Sequence, residues 1–431
     1  ASHTNGGTNV VDVQAARNAS TGWTASRTIA FGQEDPVADT YARNLVGWIT
    51  QESRTGRTAS YEYRKDGVRT SYTLNGTATS FTNTPGGAVS GVSNAQLGPK
   101  VAALRTAGVV GNIDETVTRD SRGRAALRSL SGLDDQQNLI THTYGYAYDG
   151  QGRLLAYTDN QDASNSASYT YDHLGRRVEM TVGGSVTRFV YDGDDVCAEF
   201  EDTDGNGTID RRRYYWILPE IDRYVGFADI DAQGNPTYYY YLTDQVGSVI
   251  AVVDANSNIV NRYDYDAFGN LISLTETVEN RYRFHGREWD AHRGEYYYRY
   301  RTYIPEWGQF ASPDMQFTPT EPEGACNYLF CANDPMTFVD PMGLEWGIWR
   351  GIKAGLSSAR HGVRRAANRV AVNARHVGAF AGSLAKDAQG LAGNMWSGAG
   401  VIAQGDIGKA WNQIVDDTAA KYHARTMTYY R

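Results

Sequence analysis

Tyr146-Ala147-Tyr148-Asp149-Gly150-Gln151-Gly152-Arg153 returns 23 residues later as Tyr169-Thr170-Tyr171-Asp172-His173-Leu174-Gly175-Arg176. Tyr-x-Tyr has the period of a β-strand, so both rings lie on one sheet face. Asp followed by Gly-Arg within four residues is a turn, with glycine supplying positive φ and aspartate bonding the nearby backbone. Leu154-Leu155 then opens a return strand. Each unit is a strand–turn–strand that cannot bury its own apolar face, and stacking units buries a continuous stripe.

The pattern spreads outward from these two copies. Tyr263-Asp264-Tyr265-Asp266-Ala267-Phe268-Gly269-Asn270 is a third. Phe189-Val190-Tyr191-Asp192-Gly193, Arg119-Asp120-Ser121-Arg122-Gly123-Arg124 and Tyr61-Glu62-Tyr63-Arg64-Lys65-Asp66-Gly67 are looser versions. The expected fold is therefore mostly β, a repeat array rather than a set of unrelated hairpins. Thirty tyrosines against twelve phenylalanines suit half-wet sheet surfaces, because tyrosine joins a large apolar body to a polar tip.

Charge divides the chain. Residues 345–431 hold 12 Lys and Arg against 5 Asp and Glu, while the rest holds 29 against 44. An acidic body with a basic tail suggests a tail with its own partner. The three cysteines, Cys197, Cys326 and Cys331, make neither a disulfide framework nor a zinc site and read as isolated thiols, with a Cys326–Cys331 bridge as the alternative. No signal peptide and no run of strongly apolar residues long enough for a spanning helix is visible, and Ala1 reads as an internal or processed start.

The densest motif runs from Phe284-His285-Gly286-Arg287-Glu288-Trp289-Asp290 through Tyr296-Tyr297-Tyr298-Arg299-Tyr300-Arg301 and Ser312-Pro313-Asp314 to Asp340-Pro341-Met342-Gly343-Leu344. With Leu242-Thr243-Asp244-Gln245-Val246-Gly247-Ser248-Val249 and the repeats, it resembles the YD-repeat proteins: Rhs-type polymorphic toxins, Tc-toxin C components and teneurins. The stretch from Phe284 to Leu344 looks like the Rhs-associated core. The resemblance covers roughly residues 50–344. It implies a sheet ribbon spiralling into a hollow shell, expected to be partial in this chain, plugged at one end by the core and enclosing a toxic tail. The expected division is 1–50 irregular, 51–237 repeat array, 238–344 core, and 345–431 basic tail.

The resemblance also implies a self-cleaving core that cuts after the leucine of Asp-Pro-x-Gly-Leu, here between Leu344 and Glu345. Its catalytic residues map to Arg301, Asp314 and Asp340. The chemistry fits these residue types: one carboxylate activates water, a second acts as acid, and an arginine fixes the pair or the developing oxyanion. Gly343 permits close backbone approach and Pro341 keeps the strand extended. Taken without the surrounding motif, Asp314 and Asp340 would read as turn residues beside prolines. Met315 and Gln309 stand where the family usually has proline and arginine.

Asp202-Thr203-Asp204-Gly205-Asn206-Gly207-Thr208-Ile209-Asp210 matches nine positions of a calcium loop, with oxygens at Asp202, Asp204, Asn206, Thr208 and Asp210. Position twelve is Arg213, and the flanks read as strands, so a polar hairpin tip is the first reading and Ca²⁺ the alternative. No other cofactor is expected.

The tail reads as helical, with Ile352, Leu356, Val363, Val370, Val377, Phe380 and Leu384 recurring at helical spacing among Arg360, Arg364, Arg365, Arg369 and Arg375. A pre-toxin linker, a membrane-active toxin, a nucleic-acid-binding tail and a basic helix packed inside the acidic shell all stay open. The leading expectation is the C-terminal part of a secreted or cell-surface polymorphic toxin. Its partners would be its own tail, the rest of a larger parent chain or neighbouring subunits, and an immunity protein. The alternative is an extracellular structural or adhesive scaffold without catalysis.

Overall fold

The computed structural model describes residues 2–5, 8–31, 34–218, 221–231, 233–314 and 326–344. The helical reading of the tail, Glu345 and Met315 lie outside the described residues. Among the described residues no helix is long and apolar enough to cross a membrane.

Each strand from Ser2–Asn5 to Leu271–Glu276 pairs antiparallel with the strands before and after it in sequence, giving one sheet of 23 strands. The repeated turn explains why the meander forms. Asp149 Oδ1 accepts the N–H groups of Gln151 at 2.8 Å and Arg153 at 2.9 Å, and Arg153 Nε returns to Asp149 Oδ2 at 2.6 Å. Asp120 with Arg124 and Asp172 with Arg176 repeat this pattern. Gly152 closes the turn at φ +89°, a conformation that glycine adopts without strain.

The arginine of each turn also reaches forward. Its guanidinium carbon lies over the tyrosine of the next repeat: Arg124 over Tyr148 at 4.6 Å, Arg153 over Tyr171 at 4.9 Å, Arg176 over Tyr191 at 4.9 Å. Arg124 Nη1 bonds the Asp149 carbonyl at 3.0 Å, and Arg176 Nη1 that of Gly193 at 2.7 Å. Tyr171 and Tyr191 send their hydroxyls back to the carbonyls of Leu154 and Arg177, at 2.8 and 2.7 Å. Tyr-Asp…Gly-Arg is thus a clamp between neighbouring repeats as well as a turn signal.

The inward tyrosines join one core with a second, four-stranded sheet: Glu288–Asp290, Glu295–Tyr298, Arg301–Ile304 and Gln309–Phe310. Tyr296, Tyr298, Tyr303, Trp307, Phe310 and Phe330 are fully buried there. This plug meets one rim of the meander from its early strands to its late ones. Thr24 N–H donates to Thr337 Oγ1 at 3.0 Å, Asn333 Nδ2 to the Gly67 carbonyl at 2.8 Å, and Tyr328 Oη to the Gly123 carbonyl at 2.9 Å. Tyr303 Oη reaches the Phe268 carbonyl at 2.7 Å. The sheet therefore curls round the plug.

Two expectations are corrected. Residues 1–50 are not irregular: they form the strands Ser2–Asn5, Thr8–Arg17, Thr24–Phe31 and Val37–Arg43 and enter Ile49–Arg54. Their alternation is masked because polar side chains occupy inward positions; buried Arg27 pairs with Asp39 at 2.8 Å and Asp244 at 3.2 Å. The boundary at 238 falls inside the strand Pro236–Thr243, and the meander runs on to Glu276. None of the three cysteines is in a disulfide; Cys326 and Cys331 are buried and Cys197 half-buried.

Candidate active site

The strands Glu295–Tyr298 and Arg301–Ile304 are joined by a tight hairpin at Arg299-Tyr300, with Tyr298 opposite Arg301. This hairpin lays Arg301 between Asp314 and Asp340. Arg301 Nη2 is 3.1 Å from Asp314 Oδ2 and 3.3 Å from Asp340 Oδ2, so one nitrogen bridges both carboxylates. The guanidinium packs 3.6 Å above the Phe310 ring. Burial pulls the Arg301 pKa down, while Asp340 and then Asp314 oppose that pull.

The same arginine reaches the backbone of the Gly343–Leu344 peptide. Arg301 Nε donates to the Gly343 carbonyl, and Asp340 Oδ1 accepts the Leu344 amide at 3.1 Å. Gly343 has φ +69°, and a Cβ added there would lie 2.5 Å from the Tyr298 carbonyl oxygen. Only glycine fits this approach. Asp314 is held by its own amide, which donates to the Asn327 carbonyl at 2.9 Å; Arg301 Nη1 shares that carbonyl at 3.3 Å. Asp340 is nearly fully buried, with its side chain 1% exposed, whereas Asp314 keeps 16%. The structure thus gathers Arg301, Asp314, Asp340 and Leu344 into one site.

Arg299, Asp195 and Asp222 were not singled out from the sequence. Arg299 donates to the Pro341 carbonyl and pairs with Asp195 at 2.9 Å and Asp222 at 2.7 Å. The alternation Tyr298-Arg299-Tyr300-Arg301 was the available signal, since two arginines across a tight turn can serve different partners. Nothing local to Asp222 marks it.

The Asp202–Asp210 loop lies elsewhere, as a hairpin tip between the strands Asp195–Asp202 and Arg211–Ile217. Carboxylate oxygens of Asp202, Asp204 and Asp210 lie within 4.8 Å of one another. The loop's own donors already use them. Asp202 accepts the amides of Asn206 and Gly207 at 3.0 and 2.7 Å, and Asp210 accepts the Thr203 amide at 2.8 Å. Asn206 Oδ1 takes the Thr208 amide at 2.7 Å. Arg213, at the twelfth position, points inward to Asp229 at 2.6 Å and brings no oxygen. The donor set fits a self-bonded tip better than a calcium loop.

Comparison with known proteins places these features in a lineage. A family model described as teneurin YD-shell matches residues 226–336, and one described as RHS repeat matches residues 148–184. The first includes Arg301 and Asp314 and stops short of Asp340. The chain is 29% identical over 252 residues to the tRNA3(Ser)-specific nuclease WapA of Bacillus spizizenii, covering 57% of this chain and 10% of that protein. It is 27% identical over 256 residues to toxin protein Tse5 of Pseudomonas aeruginosa, covering 53% and 19%. Teneurin-m of Drosophila melanogaster is 27% identical over 204 residues, covering 44% and 6%. The matched part spans about a tenth of the length of the WapA relative. The recurring Tyr-Asp clamps, the matched segments and these relatives together make the chain similar to the Rhs/YD-repeat proteins across its repeats and plug.

Proposed function

We propose that the chain is the C-terminal part of an Rhs/YD-repeat polymorphic toxin whose core cuts the Leu344–Glu345 bond and frees the basic tail. The observation that carries this is Arg301. It bridges two carboxylates with one nitrogen while another holds the carbonyl of Gly343, one residue before the bond.

Water adds to the Leu344 carbonyl carbon, and one aspartate of the pair takes a proton from it. The other aspartate delivers a proton to the Glu345 nitrogen as the C–N bond breaks. The products are a carboxylate on Leu344 and a free amine on Glu345. Arg301 keeps the carboxylates together, and with Asp340 it fixes both polar ends of the Gly343–Leu344 peptide group. Excluding bulk water from this buried pocket strengthens each of those charge contacts.

WapA is named as a nuclease and Tse5 as a toxin. On this reading the chain is exported as part of a longer parent, holds an effector within its shell and releases it outside the producing cell. An immunity protein would guard the producer. The intact mass of the purified chain, beside Asp340→Asn, is the test. The wild type yields fragments 1–344 and 345–431 and the variant stays whole. A folded wild type that remains one uncut species sinks the proposal.

A further inference from the structure

Three consecutive residues of the Arg299-Tyr300 hairpin grip three consecutive carbonyls. Arg299 Nη1 donates to that of Pro341, the Tyr300 amide to that of Met342 at 3.3 Å, and Arg301 Nε to that of Gly343. The turn leading to the bond is therefore held at three consecutive carbonyls.

Of these three donors, Arg299 is the one anchored in the large sheet. Its Nε and Nη2 donate to the Asp194 carbonyl at 3.1 and 3.0 Å. Nη2 also meets Asp195 Oδ1 at 2.9 Å, and the guanidinium lies across Asp222 with contacts of 3.0 and 2.7 Å. Asp194 lies in the two-residue turn after the strand Ser185–Asp192, Asp195 opens the next strand, Asp195–Asp202, and Asp222 belongs to the connection between Arg211–Ile217 and Tyr224–Ile230. The Asp222 amide donates to Asp195 Oδ1 at 3.1 Å, tying the two connections together. Burial would raise the Asp222 carboxyl, but Arg287 and Arg299 outweigh it and hold it below the usual carboxylate range. Arg299 and Asp222 both sit in the left-handed region, at φ +56° and +60°, which costs a non-glycine residue on the order of 1 kcal/mol and persists where the surroundings enforce it.

We propose that Arg299 is a positioning residue that makes the cut after Leu344 conditional on closure of the strands from Ser185 to Ile230 around the plug. This rests on the cleavage proposed above. Before those connections close, the Arg299 guanidinium has no fixed seat and the Pro341 carbonyl no fixed donor. Asp340, one residue away, then lacks its alignment with Arg301. Once they close, the site is complete. The tail is severed only after this wall of the sheet stands.

The test follows release of 345–431 during refolding of the full chain. Arg299→Met and Asp222→Asn are expected to slow the cut on the order of 10- to 100-fold, the cost of misplacing a reacting group by about an ångström. Arg299→Lys, whose ammonium still reaches Asp222 and the Pro341 carbonyl, is expected to recover part of the rate. The same substitutions in the uncut Asp340→Asn chain report melting temperature. Cutting at the wild-type rate overturns the proposal, and so does a loss that follows melting temperature across the variants. A wild type that never cuts sinks the proposed function instead. Arg299 is then judged in the uncut wild-type chain by hydrogen exchange at the Leu344 amide, which Asp340 accepts. Arg299→Met is expected to speed that exchange about tenfold, a loss of roughly 1.4 kcal/mol of local protection. Unchanged exchange overturns the proposal.

Discussion

Asp340 Oδ1 accepts the amide of Leu344 at 3.1 Å while its Oδ2 faces Arg301 at 3.3 Å. A single carboxylate therefore ties the arginine to the residue whose carbonyl is attacked in the proposed cleavage. Arg301 must serve two carboxylates and the Gly343 carbonyl at once, which a forked guanidinium does and an ammonium does not. Arg301→Lys is expected to lower the cutting rate on the order of 100-fold while leaving the fold intact. Timed electrophoresis after refolding, with circular dichroism beside it, checks both halves of the statement.

Gly343→Ala tests the backbone rather than the charges. Its Cβ would meet the Tyr298 carbonyl oxygen at 2.5 Å, and its φ of +69° disfavours a side chain. The peptide must back away from Arg301, so the cut is expected to slow by a similar factor. The melting temperature of the uncut Asp340→Asn chain carrying the same substitution checks that the change is local.

The repeat clamp can be measured on stability. Arg153→Met removes the pair with Asp149 and the stack on Tyr171, an expected cost of about 1–2 kcal/mol. Arg188→Met removes only an open pair with Glu179, whose side chains are 47% and 35% exposed, and should cost well under about 1 kcal/mol. Urea denaturation of both variants against the parent gives the comparison. Equal losses would show that the clamp adds nothing beyond an ordinary surface pair.

Acidity offers a fourth measurement. Burial pushes the Glu306 carboxyl from its ordinary 4.5 up to about 7, with Arg128 and Lys100 pulling it down and Glu295 pushing it up. Burial, with Asp266, likewise raises Glu52 to about 7 against Arg57. Each keeps a proton in the folded chain that the unfolded chain has lost. Stability should therefore fall as pH rises from about 4.5 to about 7 and level off above that. Glu306→Gln should remove up to about 3 kcal/mol of that fall, read from denaturation midpoints near pH 5 and pH 8.

How far the sequence alone reaches depends on where each residue finds its partner. Asp149 and Arg153 lie four apart and bond each other, so the turn was readable from eight letters. Arg301, Asp314 and Asp340 were named from the resemblance of the motifs around them, and the structure brings both carboxylates to one Arg301 nitrogen. Arg27 was not readable. It occupies an inward strand position that ordinarily holds an apolar residue, and its second carboxylate is Asp244, more than two hundred residues away. The first strands therefore looked irregular. Asp222 was hidden for the same reason: its value comes from Arg287 and Arg299, which only the curled sheet brings within reach.

The forward reach of Arg124, Arg153 and Arg176 onto the next tyrosine has a consequence for inheritance. Every clamp joins one repeat to its immediate successor and refers to nothing farther away. Unequal crossing-over between copies would then add or delete whole units and still leave each junction with an arginine over a tyrosine. Such an array can change its length over generations without inventing a new contact. The seam with the plug has no such freedom, because its bonds are made once each.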